Sequence, residues 1–473
     1  MIEVKELGDF KNILKKGNWK IFGIGGLPET RSEADAVSDN FEVICSRATG
    51  ELSSVRKSLK VNVFKVKNNS KKAEDILSEK LVQDYINSFA PKEKVAIYIF
   101  ISSPKIEEIC RDNKWRLIAS ETILFEKLNS KDFFFNLLEK IGLSREFEIF
   151  NSDNFYLEKE RLFDKFGEKF VLQTFIGAGG RGTFFATRDN YEKVIKSLNL
   201  EGPQKILVSF FVEGFDIAIT GCVTRDNGVL SGFARHQFIG VEAIVSGKEI
   251  AKYSFCGNDW TLNDNHADNI QKQAETFVQK IGNFLKKEGY IGIFGIDFIY
   301  DEKRGVLVPL EINPRLIGSY PIETQFELSN GRLPLIGFNI LDFLNLKYKV
   351  GSDMKSRNRK NLKSNCSHAI LKNFLKKDLS FKRNLKGGVY ELKERGLTFL
   401  REGFQLNDIE NCEKEFILTA GVPTKGYSYR ENNQLMRILW RRSIKIKNGA
   451  DIDDDSKRII ESVKNKVREL INI

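Results

Sequence analysis

The chain has few histidines and no long apolar run, and each absence excludes a class of protein. Its three histidines, His236, His266 and His368, lie far apart in the sequence, which argues against a zinc site. No apolar run approaches the roughly 18 residues that cross a bilayer, and from the charged first residues, which lack an apolar h-region, we expect no secretion signal. We therefore expect no membrane partner.

Cysteine pairs with metal-binding or redox spacing are also missing. The six cysteines are scattered without a CxxC pair, at Cys45, Cys110, Cys222, Cys256, Cys366 and Cys412. In a chain of this size the pattern indicates buried, reduced thiols and a cytoplasmic protein. No Ser-His or Cys-His arrangement suggests a nucleophile supplied by the protein.

What is present indicates a large soluble protein with several cores. The 473 residues are 41% hydrophobic and 29% charged, which fits a globular chain of about three domains. Apolar runs at residues 20–26, 41–47, 61–66 and 95–102 are typical of a parallel sheet, with helix predicted between them, as at 70–89. Helical spacing predicts a long helix over 267–289 and a final helix capped near Asp455 or Ser456.

The most informative segment is a predicted β-hairpin at residues 292–320, GIFGIDFIYDEKRGVLVPLEINPRLIGSY. Two apolar strands flank a polar turn, and Glu311 and Asn313 share a strand face because they lie two residues apart. A five-residue loop gives a register that places Asp297 on the same side. Two adjacent carboxylates repel each other, and a hard cation such as Mg²⁺ would remove that cost.

Two interpretations of this acidic patch remain open from the hairpin alone. The simpler one is an edge hairpin with a solvated acidic face, in which Arg315 pairs with Glu311. The other is a metal site, in which Arg315 places a planar cation where phosphate or a developing oxyanion would lie. The segments upstream favour the metal site.

A glycine-rich loop lies upstream, at residues 177–182, GAGGRG, between predicted strands at 170–176 and 183–187. Four glycines in six positions free the backbone for close approach to a ligand, and successive N–H groups can cradle phosphate oxygens. Arg181 adds positive charge. A strand and not a helix follows the loop, so it is not a P-loop.

A buried strand at 206–212 and a following strand with Asp216 complete the pattern. The order of strand, glycine-rich loop, strand with hinge and acid, and LEINPR with its upstream Asp resembles the ATP-grasp superfamily. The resemblance covers roughly residues 119 to 345, and LEINPR is its most specific part.

The resemblance implies a metal-assisted nucleotide site. Asp297, Glu311 and Asn313 would hold Mg²⁺ or Mn²⁺ ions that bridge the phosphates of ATP. Arg315 would steady the transferred phosphoryl group or the acyl-phosphate.

The resemblance also implies a lid and a hinge. Gly179, Gly180 and Arg181 would close over the phosphates. The hinge, with Phe210, Phe211 and Val212, would hydrogen-bond adenine through its backbone, and Asp216 would accept from the ribose hydroxyls.

The chain departs from the family pattern at two positions. Gln173 stands where many members carry a lysine before the glycine-rich loop, so it could donate to a phosphate oxygen but brings no charge. Arg181 or Lys169 would then have to compensate. Ser209 stands in the hinge where Glu is common, and a backbone contact to adenine would survive that change.

The predicted fold is α/β and α+β. We expect an N-terminal open, mostly parallel sheet domain at 1–118, a two-lobed ATP-grasp core at 119–345 and a C-terminal domain at 346–473. Within the core, the lid would span about 151–204 and the central sheet 205–345. The C-terminal domain would be smaller and β-rich, at 388–445, and would end in a helix.

The resemblance implies an ATP-dependent ligase. Such enzymes phosphorylate a carboxylate to an acyl-phosphate, which an amine attacks to form an amide or peptide bond. The alternatives are a carboxylase that uses bicarbonate, as in biotin-carboxylase-like relatives, and a non-catalytic nucleotide-binding protein. The expected partners are small carboxylate and amine substrates and ATP, with a homodimer as a possibility.

Most of the net charge of +11 lies in residues 352–388, where eleven basic and two acidic residues leave +9. A patch for nucleic acid, a basic wall of the substrate site and a solvated linker all fit this composition. Only Phe374 and Phe381 could stack on bases, so nucleic acid is not expected and the linker is favoured. In GFARHQFIG, Arg235 and His236 are candidates for holding a substrate carboxylate, and an Arg–acid pair at the edge of the core fits equally well.

Overall fold

The structure of the chain is a computed structural model. It describes residues 2–143, 147–151, 155, 157–175, 182–198, 205–245, 254–262, 266–351, 354, 359, 362–375, 377–431, 433–446 and 451–471.

The N-terminal region is a parallel sheet covered by helices on both faces. The strands follow the order β4-β3-β2-β5-β6, and the predicted parallel sheet is confirmed. Neighbouring residues Ile21 and Phe22 enter two separate cores, one on each side of the sheet, which explains the continuous apolar runs. The elements are β1 (Ile2–Val4), α1 (Leu7–Lys16), β2 (Trp19–Gly25), β3 (Phe41–Cys45), α2 (Leu52–Arg56), β4 (Val61–Val63), α3 (Ala73–Ser78), α4 (Lys80–Asn87), β5 (Lys94–Tyr98), α5 (Pro104–Asp112) and β6 (Arg116–Ile118), with a 3-10 helix at Ser32–Ala36.

Two details of this region differ from the sequence prediction. The helix predicted over 70–89 is two short helices, α3 and α4, because Glu79 is extended and ends the first of them. Strand β1 pairs in parallel with Tyr348–Val350, which no local pattern predicted.

A small antiparallel sheet follows, in the order β7-β10-β8-β9. Helices α8 and α9 cover one of its faces through an aromatic core that includes Phe163, Phe170 and Tyr191. The elements are α6 (Thr122–Leu128), α7 (Lys131–Lys140), β7 (Phe147–Asn151), α8 (Lys159–Phe166), β8 (Lys169–Thr174), β9 (Thr183–Thr187), α9 (Tyr191–Ser197) and β10 (Lys205–Phe210).

The central region builds most of an antiparallel sheet that starts at the predicted hairpin, in the order β16-β15-β11-β13-β14. The long predicted helix, α11, buries its apolar side against this sheet. The elements are β11 (Phe215–Val223), β12 (Val229–Ser231), β13 (Arg235–Ile239), α10 (Glu242–Val245), β14 (Phe255–Asp259), α11 (Ala267–Lys287), β15 (Gly292–Asp301), β16 (Val306–Asn313), α12 (Tyr320–Ser329), α13 (Leu335–Phe343) and β17 (Tyr348–Val350).

The C-terminal strands continue the same sheet in the order β18-β24-β22-β20-β21, so that it has eleven strands with β12. Strands on both sides of residue 345 belong to this one sheet, so the sheet does not mark a domain boundary there. The predicted domain boundaries stay a prediction. The elements are β18 (Ser367–Lys372), β19 (Leu379–Ser380), β20 (Gly388–Lys393), β21 (Gly396–Arg401), β22 (Glu415–Thr419), β23 (Ser428–Tyr429), β24 (Gln434–Trp440), β25 (Lys445–Ile446), β26 (Asp451–Ile452) and α14 (Asp454–Leu470).

Two C-terminal predictions need correction. The linker interpretation of 352–388 is wrong for β18 and β19, because β18 pairs with β14 and β24 inside the large sheet. The final helix begins about two residues earlier than predicted, because Asp453 caps it by accepting from the Ser456 N–H at 2.8 Å.

The structure also bears on the predicted thiols. All six cysteines are unpaired, and five of them are buried, with Cys412 half-buried. Among the residues that the structure describes, no helix is long and apolar enough to span a bilayer.

Candidate active site

The β15–β16 hairpin brings the two predicted carboxylates together. Asp297 and Glu311 are direct cross-strand partners, and Asn313 lies opposite Gly295 on the same strand face as Glu311. The predicted five-residue loop is wrong, because Asp301 pairs with Val306 and only four residues form the turn. A bulge beside Asp297 then shifts the register by one residue and brings Asp297 opposite Glu311. The opposite face of β15 packs in the core with α11, which leaves the three polar side chains on the other face of the hairpin.

The electrostatics of this patch favour a bound cation. Burial, followed by repulsion from Glu311, raises the pKa of Asp297 well above its ordinary value. The Asn313 amide donates to Asp297 Oδ2 at 3.0 Å and to Glu311 Oε1 at 3.4 Å, so it lies between the two carboxylates. A divalent cation in this position would remove the repulsion, and carboxylate and amide oxygens are the ligands that Mg²⁺ and Mn²⁺ accept. The two carboxylates face this position, whereas the Asn313 Oδ1 accepts from Arg315 and would have to turn toward the cation to bind it.

The acidic residues alone do not form a complete metal cage. Among the described residues, no group of three or more His, Cys, Asp and Glu side chains is arranged to hold a metal. A site with two carboxylates and one amide has room for further oxygens from a substrate, which is how Mg²⁺ is usually bound beside phosphates.

Arg315 lies at the end of the hairpin, beside the same patch. Its Nη2 donates to Asn313 Oδ1 and its Nη1 to the Leu316 carbonyl, each at 2.9 Å. The guanidinium lies 4.9 Å from the centre of the Phe100 ring, and burial lowers its pKa despite the nearby carboxylates. Arg315 is therefore fixed from three sides and does not form a simple ion pair with Glu311.

Only part of the predicted lid can be described. Gly179, Gly180 and Arg181 lie outside the described residues. The ends of their loop meet where the Thr174 N–H donates to the Gly182 carbonyl at 2.9 Å. Gln173 donates to Thr183 Oγ1 at 3.2 Å across β8 and β9, on the sheet face that α8 and α9 leave uncovered.

The predicted hinge follows β10, which ends at Phe210, so Phe211 and Val212 lie beyond the strand. All three are half-buried, and Lys169 Nζ lies 3.5 Å from the Phe211 ring centre. Lys169 is thus held at the hinge.

Asp216 lies on the sheet face that carries Asp297, because its neighbour Ala218 pairs with Asp297. Burial raises the pKa of Asp216 to about 7.

The structure supports the Arg–acid pair for Arg235. Arg235 is 2% exposed, and its Nη1 lies 3.3 Å from Glu323 Oε2 on α12. His236 points to the other face of β13, where its ring lies 5.0 Å from that of Phe215. His236 is therefore away from the Asp297 face.

Two further residues at the site were missed from the sequence. Gln237 donates from Nε2 to Asp297 Oδ1 at 2.8 Å. Lys131, at the start of α7, donates to the Thr174 carbonyl at 2.6 Å and is attracted to Glu311. Burial lowers the pKa of Lys131 to about 8. No local pattern marks either residue, because both reach the site from distant elements.

The comparisons with known proteins agree with this geometry. A family model described as the ATP-grasp domain matches residues 153–319, which include the glycine-rich loop, the hinge and the β15–β16 hairpin. The chain carries an ATP-grasp domain. The predicted superfamily is therefore confirmed. No curated protein sequence matches the chain.

Solved structures of similar fold extend the likeness over nearly the whole chain. The biotin carboxylase from Campylobacter jejuni is 13% identical, with a TM-score of 0.55, and the match covers 96% of this chain and 92% of that one. The biotin carboxylase domain of 2-oxoglutarate carboxylase from Hydrogenobacter thermophilus, with MgADP and bicarbonate bound, is 14% identical (TM-score 0.53; 90% and 86% covered). N5-carboxyaminoimidazole synthase from Aspergillus clavatus, with ADP and 5-aminoimidazole ribonucleotide, is 12% identical (TM-score 0.53; 95% and 98% covered). These likenesses confirm the predicted α/β and α+β fold class.

Proposed function

We propose that the protein is an ATP-dependent ligase that activates a carboxylate as an acyl-phosphate, which an amine attacks to form an amide or peptide bond. The observation that carries the proposal is the cross-strand pair of Asp297 and Glu311 with Asn313 between them and Arg315 beside them. A non-catalytic nucleotide-binding protein would need the same carboxylates to hold a metal–nucleotide, so turnover of ATP is what distinguishes it from the ligase.

In this proposal Asp297, Glu311 and Asn313 hold Mg²⁺ or Mn²⁺, which neutralises phosphate charge when bound. Arg315 is already oriented by Asn313 and Phe100, so it stabilises charge on the transferred phosphoryl group without reorganising. Gln237 holds one oxygen of Asp297 and thereby fixes its orientation.

Lys131 supplies the cation that Gln173 does not. Its Nζ donates a hydrogen bond to the carbonyl of Thr174, the residue after Gln173, and its positive charge is attracted to Glu311. It thus lies between the end of β8 and the metal patch, where we assign it to the phosphates of ATP. Gly179, Gly180 and Arg181 close over the same phosphates.

The hinge and Asp216 bind the nucleoside. The backbone at Phe210, Phe211 and Val212 contacts adenine, and the Asp216 carboxylate accepts from the ribose hydroxyls. Asp216 and the metal patch share one sheet face, which suits a nucleotide laid across it.

The reaction balances without a protein nucleophile. A carboxylate oxygen of the acid attacks the γ-phosphorus, and the bond from that phosphorus to ADP breaks. The amine then attacks the acyl carbon and loses a proton, and phosphate leaves with one original carboxylate oxygen. Positioning and charge neutralisation supply the catalysis.

The second candidate is a carboxylase in which bicarbonate is the acid. The observation that favours it is the likeness to biotin carboxylases and to N5-carboxyaminoimidazole synthase over 90% or more of this chain. The same site would serve both reactions, because both activate a carboxylate with ATP. We place either enzyme in the cytoplasm, as a monomer or homodimer that acts on small molecules.

The experiment that tests the proposal is a screen of amino acids and dipeptides for ATP-dependent release of ADP and phosphate, with and without bicarbonate. We expect release that depends on an added acid and amine, with ¹⁸O from the labelled carboxylate appearing in the phosphate. Release that needs bicarbonate instead would select the carboxylase. Formation of AMP and pyrophosphate would refute both candidates.

A further inference from the structure

The N-terminal sheet carries a group of cationic side chains that the proposed reaction does not use. Residues 46–51 follow β3 and dock on the C-terminal region, where the Gly50 N–H donates to the Val422 carbonyl and the Ala48 N–H to the Tyr427 hydroxyl. The carboxyl ends of strands in an open parallel sheet form the edge at which such folds bind ligands. Ser46 and Arg47 lie at this edge.

Arg47 is held in place, but only some of its hydrogen-bond donors have an acceptor. Its Nε and Nη2 donate to the Asn69 carbonyl at 3.4 and 3.1 Å, and its guanidinium lies 4.9 Å from the centre of the Tyr427 ring. Its Nη1 and the neighbouring Ser46 Oγ are both buried, and neither has a hydrogen-bond partner in the described part of the chain. Consecutive residues therefore each carry a buried donor without an acceptor in the described part of the chain.

Lys71 adds a second cation next to Arg47. It is half-buried, and its ammonium group forms no hydrogen bond or ion pair within the described ranges. Its Nζ lies 5.7 Å from the ring centre of Tyr429, and its side chain begins against Gly26 at the end of β2. Burial and then repulsion by Arg47 lower the pKa of Lys71 to about 8, although Glu51 attracts it.

A series of hydrogen bonds and longer-range electrostatic interactions leads from this group toward Arg315. Glu51 accepts from the Gly421 and Val422 N–H groups and interacts with Glu29, which in turn interacts with Arg437. Arg437 donates to the carbonyl of Gly318, three residues after Arg315. The cations and the proposed phosphoryl-transfer site therefore border the same junction between the N-terminal and C-terminal regions.

We propose that Arg47, Lys71 and the Ser46 hydroxyl bind an anionic group of the substrate, a phosphate or a second carboxylate remote from the reacting atoms. Neither cation forms an ion pair with a carboxylate in the described part of the chain, and an oxyanion that accepts from all three groups would relieve their mutual repulsion. The identification of the anion as part of a substrate rests on the proposed ligase function, whereas the anion site itself does not.

The test is the thermal stability of the protein in inorganic phosphate or succinate, at an ionic strength held constant with chloride and without ATP. We expect one of the two anions to raise the unfolding temperature to a saturating value. Saturation by phosphate assigns a phosphate group to the substrate, and saturation by succinate assigns a carboxylate. Lys71→Met and Arg47→Gln should each raise the half-saturating concentration by about tenfold or more, as expected for loss of a charge-assisted hydrogen bond.

Three controls separate this site from general effects. Lys72→Met changes an exposed lysine one residue away and should bind the anion like the original protein. Arg315→Gln should also bind normally, which excludes phosphate bound at the active site as the cause. Lys71→Met without anion should unfold at the same temperature or higher, because it loses an unpaired, half-buried charge. Absence of a saturable shift, normal binding by Lys71→Met, or loss of binding only in Arg315→Gln would overturn the site and leave the ligase proposal unaffected.

Discussion

Asp297 and Glu311 are held close together although their charges repel each other. Burial and this repulsion raise the pKa of Asp297, and the Asn313 and Gln237 amides offset only part of the cost. Residues that lower stability in this way are expected where function requires them. A substitution in this pair should therefore lower activity without lowering the stability of the fold.

Glu311→Gln should lower Mg²⁺-dependent turnover by about 100-fold or more, since even outer-shell changes at metal sites cost up to that much. Its unfolding temperature should stay the same or rise, because the variant removes the repulsion on Asp297. Turnover and thermal unfolding are measured side by side, with Glu139→Gln on the exposed side of α7 as the control. Normal turnover in Glu311→Gln would disprove the metal assignment.

Lys131 is expected to carry the charge at the phosphates that Gln173 lacks. Lys131→Met should raise KM for ATP by about tenfold, the loss of one charge-assisted contact, and Lys131→Arg should restore much of it. Gln173→Ala should have a smaller effect, because Gln173 already bonds to Thr183. Steady-state kinetics of the three variants test this order, and a larger effect of Gln173→Ala than of Lys131→Met would contradict it.

At the scale of elements, the β8–β9 hairpin is fixed at its base and rich in glycine at its tip. Thr174 and Gly182 are joined by a backbone hydrogen bond, and Lys131 holds the Thr174 carbonyl from α7. A fixed base with a glycine-rich tip is the arrangement that a closing lid requires, because only the tip must change its backbone angles.

The double change Gly179→Ala and Gly180→Ala should raise KM for ATP and lower kcat, since alanine restricts the backbone freedom that closure needs. Limited proteolysis within residues 177–182 provides a second measurement. Saturating Mg·ATP should protect this loop in the original protein and protect it less in the double variant. A loop cut at the same rate with and without Mg·ATP is not a lid.

At the scale of the whole molecule, distant regions are joined through buried polar groups. Glu51, which is fully buried, accepts from Thr49 and from the Gly421 and Val422 N–H groups, and thereby ties the N-terminal region to the C-terminal one. Burial, followed by repulsion from Glu29, raises the pKa of Glu51 from 4.5 to about 7. The junction therefore holds a carboxyl group that binds its proton more tightly in the folded protein than in the unfolded one.

The raised pKa of Glu51 in the folded protein predicts that the junction weakens as the pH rises. Between about pH 4.5 and 7 the folded state binds more protons at Glu51, so its contribution to the free energy of unfolding falls with rising pH, by up to about 3 kcal/mol. Glu51→Gln keeps an accepting oxygen and should remove this part of the pH dependence. Thermal unfolding of both proteins at pH 5 and pH 7.5 tests the prediction, and parallel pH profiles would contradict it.

The sequence by itself determined the features that depend on neighbouring residues. Apolar runs and alternation predict the strands of the parallel sheet and the β15–β16 hairpin, and helical spacing predicts α11 and α14. The two-residue repeat places Glu311 and Asn313 on one face, because strand geometry is local, whereas the bulge beside Asp297 brings that residue opposite Glu311. The superfamily could be predicted for the same reason, since LEINPR and the glycine-rich loop are continuous segments.

Only the tertiary structure decided which distant groups meet at that face. Lys131, Gln237 and Arg437 reach the region of the site from three separate elements, and no spacing along the chain connects them. The same holds for the pairing of β1 with β17 and for β18, which joins two predicted domains in one sheet. Such contacts depend on how helices and sheets pack, which is set by burial summed over the whole core and not by any local pattern.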